Sequence, residues 1–448
     1  MRLKLLTLAL ALSAVALPGH GEDLLDAYRE ARTNDPVLSQ ADATRLSVHE
    51  GVAQNRALLL PQISAGLTLN QSSNGGKGRD ENGDTYDFGH SRTRTISGEV
   101  DQTIFDLSKI ANLRAAHSQS DAQSELYQAA LQNLFVRVTQ AYFNVLTSED
   151  ALEFAKASEA SFKRQLDQAQ QRFDVGLSAI TDVYDAKAQH DLATAQVISA
   201  ENTLNDMREA LTQITGKPAT DLKKLRDDLP MDAPAPNDPN AWVAQALKTN
   251  PNILSQQYSV EAANHSVNSA RAGHLPTVNA QLIRSKNSTW LENGRLSSQG
   301  AGAGNGRFGN TIGLTLRVPI FEGGATQSRV RQSIYDRDAA QDGLEIQRRQ
   351  VTRDTLNYYR SVIAGISQVE ASKAAVTSAE SALAASQAGF EVGTRTIVEV
   401  LIAQQNLTQA QSNYSQTRHQ FVLNKLLLKQ AAGTADLKDV EAINALLQ

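Results

Sequence analysis

Residues 311–320 read Thr311-Ile312-Gly313-Leu314-Thr315-Leu316-Arg317-Val318-Pro319-Ile320. Apolar side chains take every second place and Thr, Gly and Arg fill most of the gaps, the period of a strand with one apolar and one polar face. The alternation returns at Ile63, Ala65, Leu67 and Leu69, at Ile96, Gly98, Val100 and Ile104, and at Val278, Ala280 and Leu282. Strands are therefore expected over about 62–70, 95–105, 277–283 and 310–320. Such lengths approach the ~10 residues that carry a tilted strand across a bilayer. The members of each pair are joined by long polar segments, 71–94 and 284–309. Glu99, Asp101 and Arg317 fall on the polar faces, where they are expected to look into a water-filled lumen.

The two pairs belong to a duplication. Thr33-Asn34-Asp35-Pro36-Val37-Leu38-Ser39-Gln40 matches Thr249-Asn250-Pro251-Asn252-Ile253-Leu254-Ser255-Gln256, and Leu60-Pro61 matches Leu275-Pro276. Ile104-Phe105-Asp106 matches Ile320-Phe321-Glu322, and Arg172-Phe173-Asp174-Val175-Gly176 matches Gly389-Phe390-Glu391-Val392-Gly393. The offset holds at 215 to 217 through all of them, which chance does not give. We expect one repeat over 22–230 and a second over 240–448. The Pro-rich stretch 231–239 would link them, because Pro234, Pro236 and Pro239 remove backbone donors.

Helices fill the rest. From Leu107 to Asp174 there is no Pro and no Gly, enough for roughly 100 Å of helix at 1.5 Å per residue. Leu131, Phe135, Val138, Tyr142 and Val145 recur in steps of three and four, the spacing of a coiled-coil seam. Ala193, Val197, Ala200, Leu204, Met207, Leu211 and Ile214 repeat it in the next helix, with Ala410, Tyr414, Thr417, Phe421, Asn424, Leu428 and Ala431 as the counterpart.

Four strands cannot close a barrel, and an open sheet in lipid leaves backbone groups unpaired at several kcal/mol each. Copies of the chain must complete it. Two copies give eight strands, an interior normally filled by side chains, whereas three give twelve and leave a lumen. The alternation permits either, and the long helices, which must also close into a ring, favour three. The bland alternative is an ordinary half-buried sheet in a periplasmic protein.

The 448-residue chain has no Cys, a net charge of -5 and 5% aromatic residues. No basic excess points to nucleic acid, and with no Cys there is no site for lipidation. Arg2 and Lys4 precede an apolar run, Leu5 to Leu17, followed by Pro18-Gly19-His20-Gly21. That is the layout of a secretory signal peptide over 1–21. No later stretch approaches the ~18 apolar residues of a spanning helix.

The duplicated strand-strand-helix-helix plan, the Leu-Pro strand entries and the Phe-x-Val-Gly turns resemble the TolC family of outer-membrane factors. So does Val392-Gly393-Thr394-Arg395-Thr396-Ile397-Val398-Glu399-Val400-Leu401. The resemblance covers essentially the whole mature chain. It implies a mainly α protein with a membrane β-barrel: a homotrimeric channel-tunnel, a twelve-stranded barrel in outer-membrane lipid on a twelve-helix periplasmic α-barrel. A mixed equatorial domain would form from Gly216 to Trp242 and from Gly433 onward. It implies an exit duct for efflux or type I secretion, gated at its periplasmic tip. Its partners would be a periplasmic adaptor (membrane fusion) protein and an inner-membrane efflux pump or ABC exporter.

Gly176 and Gly393, between successive long helices, would sit at the adaptor-contact tips. The resemblance gives Arg395 a link to Thr181 and Asp182 across neighbouring helix pairs that keeps the tip shut. Phe390 stands where the family has a tyrosine that makes a second link, and phenylalanine has no hydroxyl to make it. Of two acidic positions at the family's constriction, Glu399 matches one and Ile402 replaces the other. The residues alone give a plainer account: Asp182 and Glu399 stand near helix N-termini, where the helix dipole favours anions.

No catalytic constellation, His-x-x-x-His metal pair or phosphate loop is present, so no enzyme activity, metal or cofactor is expected. Asp80-Glu81-Asn82-Gly83-Asp84 misplaces the glycine of a calcium loop. The competing functions are a periplasmic coiled-coil adaptor, which would have one hairpin and no amphipathic strands, and a structural filament, which would carry unbroken heptads.

Overall fold

The computed structural model describes residues 22–73, 77–79, 82–87, 90–219, 221–292 and 304–448. The expected signal peptide, most of the Gly-rich stretch 300–306 and the first two positions of the calcium-like stretch lie outside them. In chain order the elements are α1 (Leu24–Asn34), α2 (Pro36–Ala57), β1 (Gln62–Ser73), β2 (Lys77–Arg79), β3 (Thr85–Asp87), β4 (His90–Phe105), α3 (Leu107–Asp174) and α4 (Ile180–Thr215). Then follow α5 (Pro239–Thr249), α6 (Pro251–Ala272), β5 (Thr277–Glu292), β6 (Gly304–Asn305), β7 (Gly309–Arg317), α7 (Ala325–Glu391), α8 (Ile397–Ala431) and α9 (Leu437–Asn444). The protein is mainly helical with one principal sheet, as the periodicities require. Contacts divide it into two units, 43–125 with 254–346, and 22–42 with 126–253 and 347–448.

The first unit holds the sheet, ordered β1-β4-β5-β7 and antiparallel throughout, with β6 pairing only the distal part of β5. The registers align Ile63, Val100, Leu282 and Ile312 in one row across all four strands. The next row, on the other face, is Gln62, Asp101, Gln281 and Gly313. A period of two thus becomes two chemically opposite surfaces. The apolar one is bare: Ile63 is 80% exposed, Ile312 83% and Leu314 72%. Strands β1, β4 and β5 run further than expected, because a ladder of backbone hydrogen bonds continues through polar residues once its register is set. β7 stops at Arg317 rather than 320, for Thr277 is the last partner β5 offers and Pro319 has no N–H to donate.

The second unit is built on the long helices. α3 spans 68 residues and α7 67, each uninterrupted by Pro, and α4 and α8 span 36 and 35. Tyr142, fully buried on α3, donates from its hydroxyl to the carbonyls of Glu22 and Lys223 at 3.1 and 2.9 Å. Burial pushes this hydroxyl's pKa far up, so it stays a neutral donor. It fastens residue 22 beside residue 222, where Glu22 and Leu222 form a parallel bridge, while Leu225 bridges Leu447. Tyr359, 217 positions on, donates to Asn237 at 2.6 Å. Asp35 caps α2 through the Leu38 amide and accepts two bonds from Arg137 at 3.2 and 2.6 Å. Burial opposes ionisation of Asp35, but Arg137 and the backbone amides outweigh it and hold the carboxyl below its usual range.

Between α3 and α8 runs a seam that the apolar spacing hid. Thr147 meets His419 at 2.7 Å, Asp150 accepts from Ser415 at 2.5 Å and Ser161 donates to Gln404 at 3.0 Å. The paired numbers sum to 565 or 566, so one antiparallel register holds over this whole length. Burial pushes His419 down to about 4, which leaves it neutral near pH 7, and its ring stacks on Phe143 at 5.2 Å. Gln165, one turn beyond Ser161 and 7% exposed, has no hydrogen-bond partner at either amide atom among the described residues.

Two measurements check these energetics. An unpaired buried amide costs about 1–3 kcal/mol, so Gln165→Leu is expected to raise the melting temperature of the assembled protein. A lower one would mean that a neighbouring copy supplies the missing partners. Asp35, with its folded pKa depressed, contributes stability that is present above its unfolded pKa of about 3.9 and lost as pH falls through the folded value. Asp35→Asn is thus expected to flatten the acid limb of a melting-versus-pH profile. At neutral pH, Arg137→Met should cost on the order of 3 kcal/mol by stranding the carboxylate.

Candidate functional site

The two helical hairpins turn by the same device. After α3, Leu177 N–H donates to Arg172 O at 2.7 Å and Gly176 N–H to Phe173 O at 2.9 Å. After α7, Thr394 N–H donates to Gly389 O at 2.8 Å and Gly393 N–H to Phe390 O at 3.1 Å. These paired bonds close a helix around a residue of positive φ, and Gly176 at +76° and Gly393 at +79° supply it without the clash a Cβ would bring. Around them the surface is apolar and bare: Val175 is 69% exposed, Leu177 70% and Val392 75%.

The helices that leave the turns begin differently. α8 opens on a capping box. The Thr396 hydroxyl accepts from Glu399 N–H, and the Glu399 carboxylate accepts from Thr396 N–H at 2.8 Å. Arg395 adds a bond to the same carboxylate at 2.7 Å. The Thr396 amide, then Arg395, hold the Glu399 carboxyl below the usual range. α4 has Ala179 at the matching cap, with no side-chain bond. Asp182, in its first turn, is half-buried and Thr181 is exposed.

The site residues therefore fall into two groups. Glu399 and Arg395 are brought together, with Ile402 one turn along and 51% exposed. Thr181 and Asp182 are not brought to Arg395 within one chain, where the Arg395 guanidinium pairs with Glu399. Phe390 packs on a small core of Phe162, Ala193, Ile397 and Leu401. Its ring also lies 4.9 Å from the Arg172 guanidinium, a cation–π contact that ties α7 to α3 where the expected tyrosine bond is missing. Arg172 was not a candidate from sequence; its signal was a position three residues before Val175, inside the first turn motif rather than the second. Glu99, Asp101 and Arg317 share the sheet face opposite the apolar rows. Glu99 accepts from Gln281, Asp101 stands in register with Gln62 and Gln281, and Arg317 pairs with Thr277. No cluster of His, Asp or Glu among the described residues could hold a metal ion.

A family model described as "Outer membrane efflux protein" matches residues 27–217 and 242–434, one match in each half. The outer membrane protein TolC of Escherichia coli K12 is 34% identical over 440 residues, 98% of this chain and 87% of the relative. TolC of Vibrio cholerae is 35% identical over 97% of this chain and 96% of its own length. Among solved structures, the outer membrane protein VceC of Vibrio cholerae has a TM-score of 0.75 at 19% identity, covering 92% of this chain and 96% of its own. The Campylobacter jejuni CmeC outer membrane channel has a TM-score of 0.76 at 16% identity, covering 95% and 90%. With two family matches in tandem and near-full-length relatives at a third identity, the chain belongs to the outer membrane efflux protein family and is a protein of the outer membrane.

Proposed function

We propose that three copies of this chain form an exit duct across the outer membrane and periplasm. The observation that carries this reading is the sheet. Its four strands present a bare apolar face, and β1 and β7 each have one edge with no partner strand among the described residues. Lipid tolerates neither open edge. Pairing β7 of one copy with β1 of the next closes a twelve-stranded barrel whose polar face, with Glu99, Asp101 and Arg317, lines water. The long hairpins α3–α4 and α7–α8 then form twelve helices around the same axis. The segments beside Tyr142 and α9 make the equatorial domain. Each copy comprises two repeats, 22–230 and 240–448, joined through 231–239.

The bare apolar turns at Gly176 and Gly393 suit docking to the hairpin of a periplasmic adaptor, and an inner-membrane pump or ABC exporter supplies the energy. Relatives include the alkaline protease secretion protein AprF of Pseudomonas aeruginosa and the cobalt-zinc-cadmium resistance protein CzcC of Cupriavidus metallidurans. Both kinds of cargo, polypeptide and small solute, therefore suit this duct. Glu399 and Ile402 narrow the tip, one ring of three carboxylates beside one of three isoleucines. Arg395 keeps it closed by bridging from Glu399 to Thr181 and Asp182 of the adjoining helix pair.

Protein extracted from outer membranes in mild detergent should have the native mass of three 48.4 kDa chains less their signals. A soluble monomer or dimer would sink the duct. In single-channel recordings Glu399→Ala should abolish a weak cation selectivity. In the unaltered channel that selectivity should persist below pH ~4.3, the ordinary glutamate value, since this carboxyl is held lower. Arg395→Ser should raise conductance; unchanged conductance in an intact trimer would remove Arg395 from the closure.

A further inference from the structure

The apolar face of the sheet also carries cations. Arg94 on β4 stands in register with Leu69 and Ser288, Lys286 on β5 with Ile96, and Arg284 with Gly98 and Asn310. All three share the face of Ile63, Leu67, Leu69, Leu282 and Ile312. They lie from the middle of β5 outward, beyond the rows that adjoin Gln62, Phe105, Thr277 and Arg317, where the helices join. Side chains on one face repeat every ~6.7 Å along a strand, and diagonal neighbours on adjacent strands are ~7–8 Å apart. Lys286 thus stands between Arg94 and Arg284 in a short diagonal row, whose long side chains can converge on one phosphate group. Arg284 and Lys286 lie 5.4 and 5.9 Å from the ring centroid of Phe308, itself 51% exposed. Glu99 and Asp101, the carboxylates of β4, project to the opposite face.

From the helix end outward, β5 and β7 present aliphatics through Leu282 and Ile312, and cations then enter beside Phe308, interleaved with Leu67, Leu69 and Ile96 of β1 and β4. Along β5 and β7 that is the order of one leaflet of a membrane: acyl chains, interface, phosphates. Cations on the lipid face are costly at mid-bilayer and tolerated at the interface, so their place here is consistent with the belt's height.

We propose that Arg94, Arg284 and Lys286 form a binding site for the phosphate of a phosphorylated lipid in the leaflet at the loop end of the barrel. Its acyl chains lie along Leu282, Ile312 and Leu314, on the helix side of the cations. The site rests on the barrel reading above, since only a sheet embedded in lipid offers tails and phosphate to the same face. Arginine forks give two parallel bonds to phosphate oxygens, and Lys286 adds a compact charge. A free phosphate ion would use the cations and leave the adjoining aliphatic surface uncovered.

The test uses the assembled protein in nanodiscs of neutral phosphatidylcholine, doped with diphosphoryl lipid A or with the same lipid stripped of phosphate. Native mass spectrometry counts the lipid molecules retained per trimer. The unaltered protein should retain the phosphorylated lipid about tenfold better than the stripped one. The triple variant Arg94→Gln, Arg284→Gln, Lys286→Gln should lose that preference, and Lys286→Gln alone should lose part of it. Arg317→Gln, on the opposite face, should keep it. Equal retention of the two lipids, or full preference in the triple variant, overturns the site while the trimer in neutral discs still supports the barrel. Failure of the protein to enter any disc overturns the barrel, and the site with it.

Discussion

A backbone N–H or C=O in hydrocarbon has no water to turn to, and that constraint governs the whole architecture. Among the described residues the principal sheet leaves one edge of β1 and one of β7 unpaired, and the proposed trimer satisfies both. The apolar rows at Ile63, Val100, Leu282 and Ile312 make burial in lipid favourable, and the open edges make it conditional on assembly. The polar rows around Gln62, Asp101 and Gln281 are affordable because, once the proposed barrel closes, they face water.

The helices meet a related requirement by different means. A helix of 68 residues satisfies its own backbone and needs a partner only for its side chains. In α3 that partner is α8 along the seam of Thr147, Asp150 and Ser161, where hydrogen bonds alternate with apolar contacts such as Phe143 on His419. Apolar seams tolerate slippage by a turn, whereas buried polar pairs do not, because a slip would leave donors and acceptors unpaired. The seam fixes register, and Gln165 is the position where this economy breaks down within a single chain.

Duplication built both hairpins on one plan and then let them diverge in chemistry. The turns at Gly176 and Gly393 share their bonding, yet only the second carries the capping box and the Arg395–Glu399 pair. Tyr142 and Tyr359 occupy equivalent places and hold different segments. At the tip, Phe390 keeps its ring and lacks the hydroxyl, and Arg172 makes use of the ring face. The proposed closure thereby takes its cation from the second repeat, and its carboxylates and its cation–π contact from both.

The sequence by itself determined the classes and order of the elements, the amphipathic strands and the turn glycines, because a period of two, a period near 3.5 and a positive φ are local demands. The family resemblance carried by the motif around Gly393 also named Glu399, Ile402 and Arg395 as candidates. Only the tertiary structure decided which strands are neighbours and where β7 ends. It alone revealed the α3–α8 polar pairs, Phe390 on Arg172, and the shared apolar face of Arg94, Arg284 and Lys286. Those residues lie as much as 272 positions apart, and no spacing within either segment signals the other. Their juxtaposition is set by register, which is a property of the packed pair rather than of either strand or helix alone.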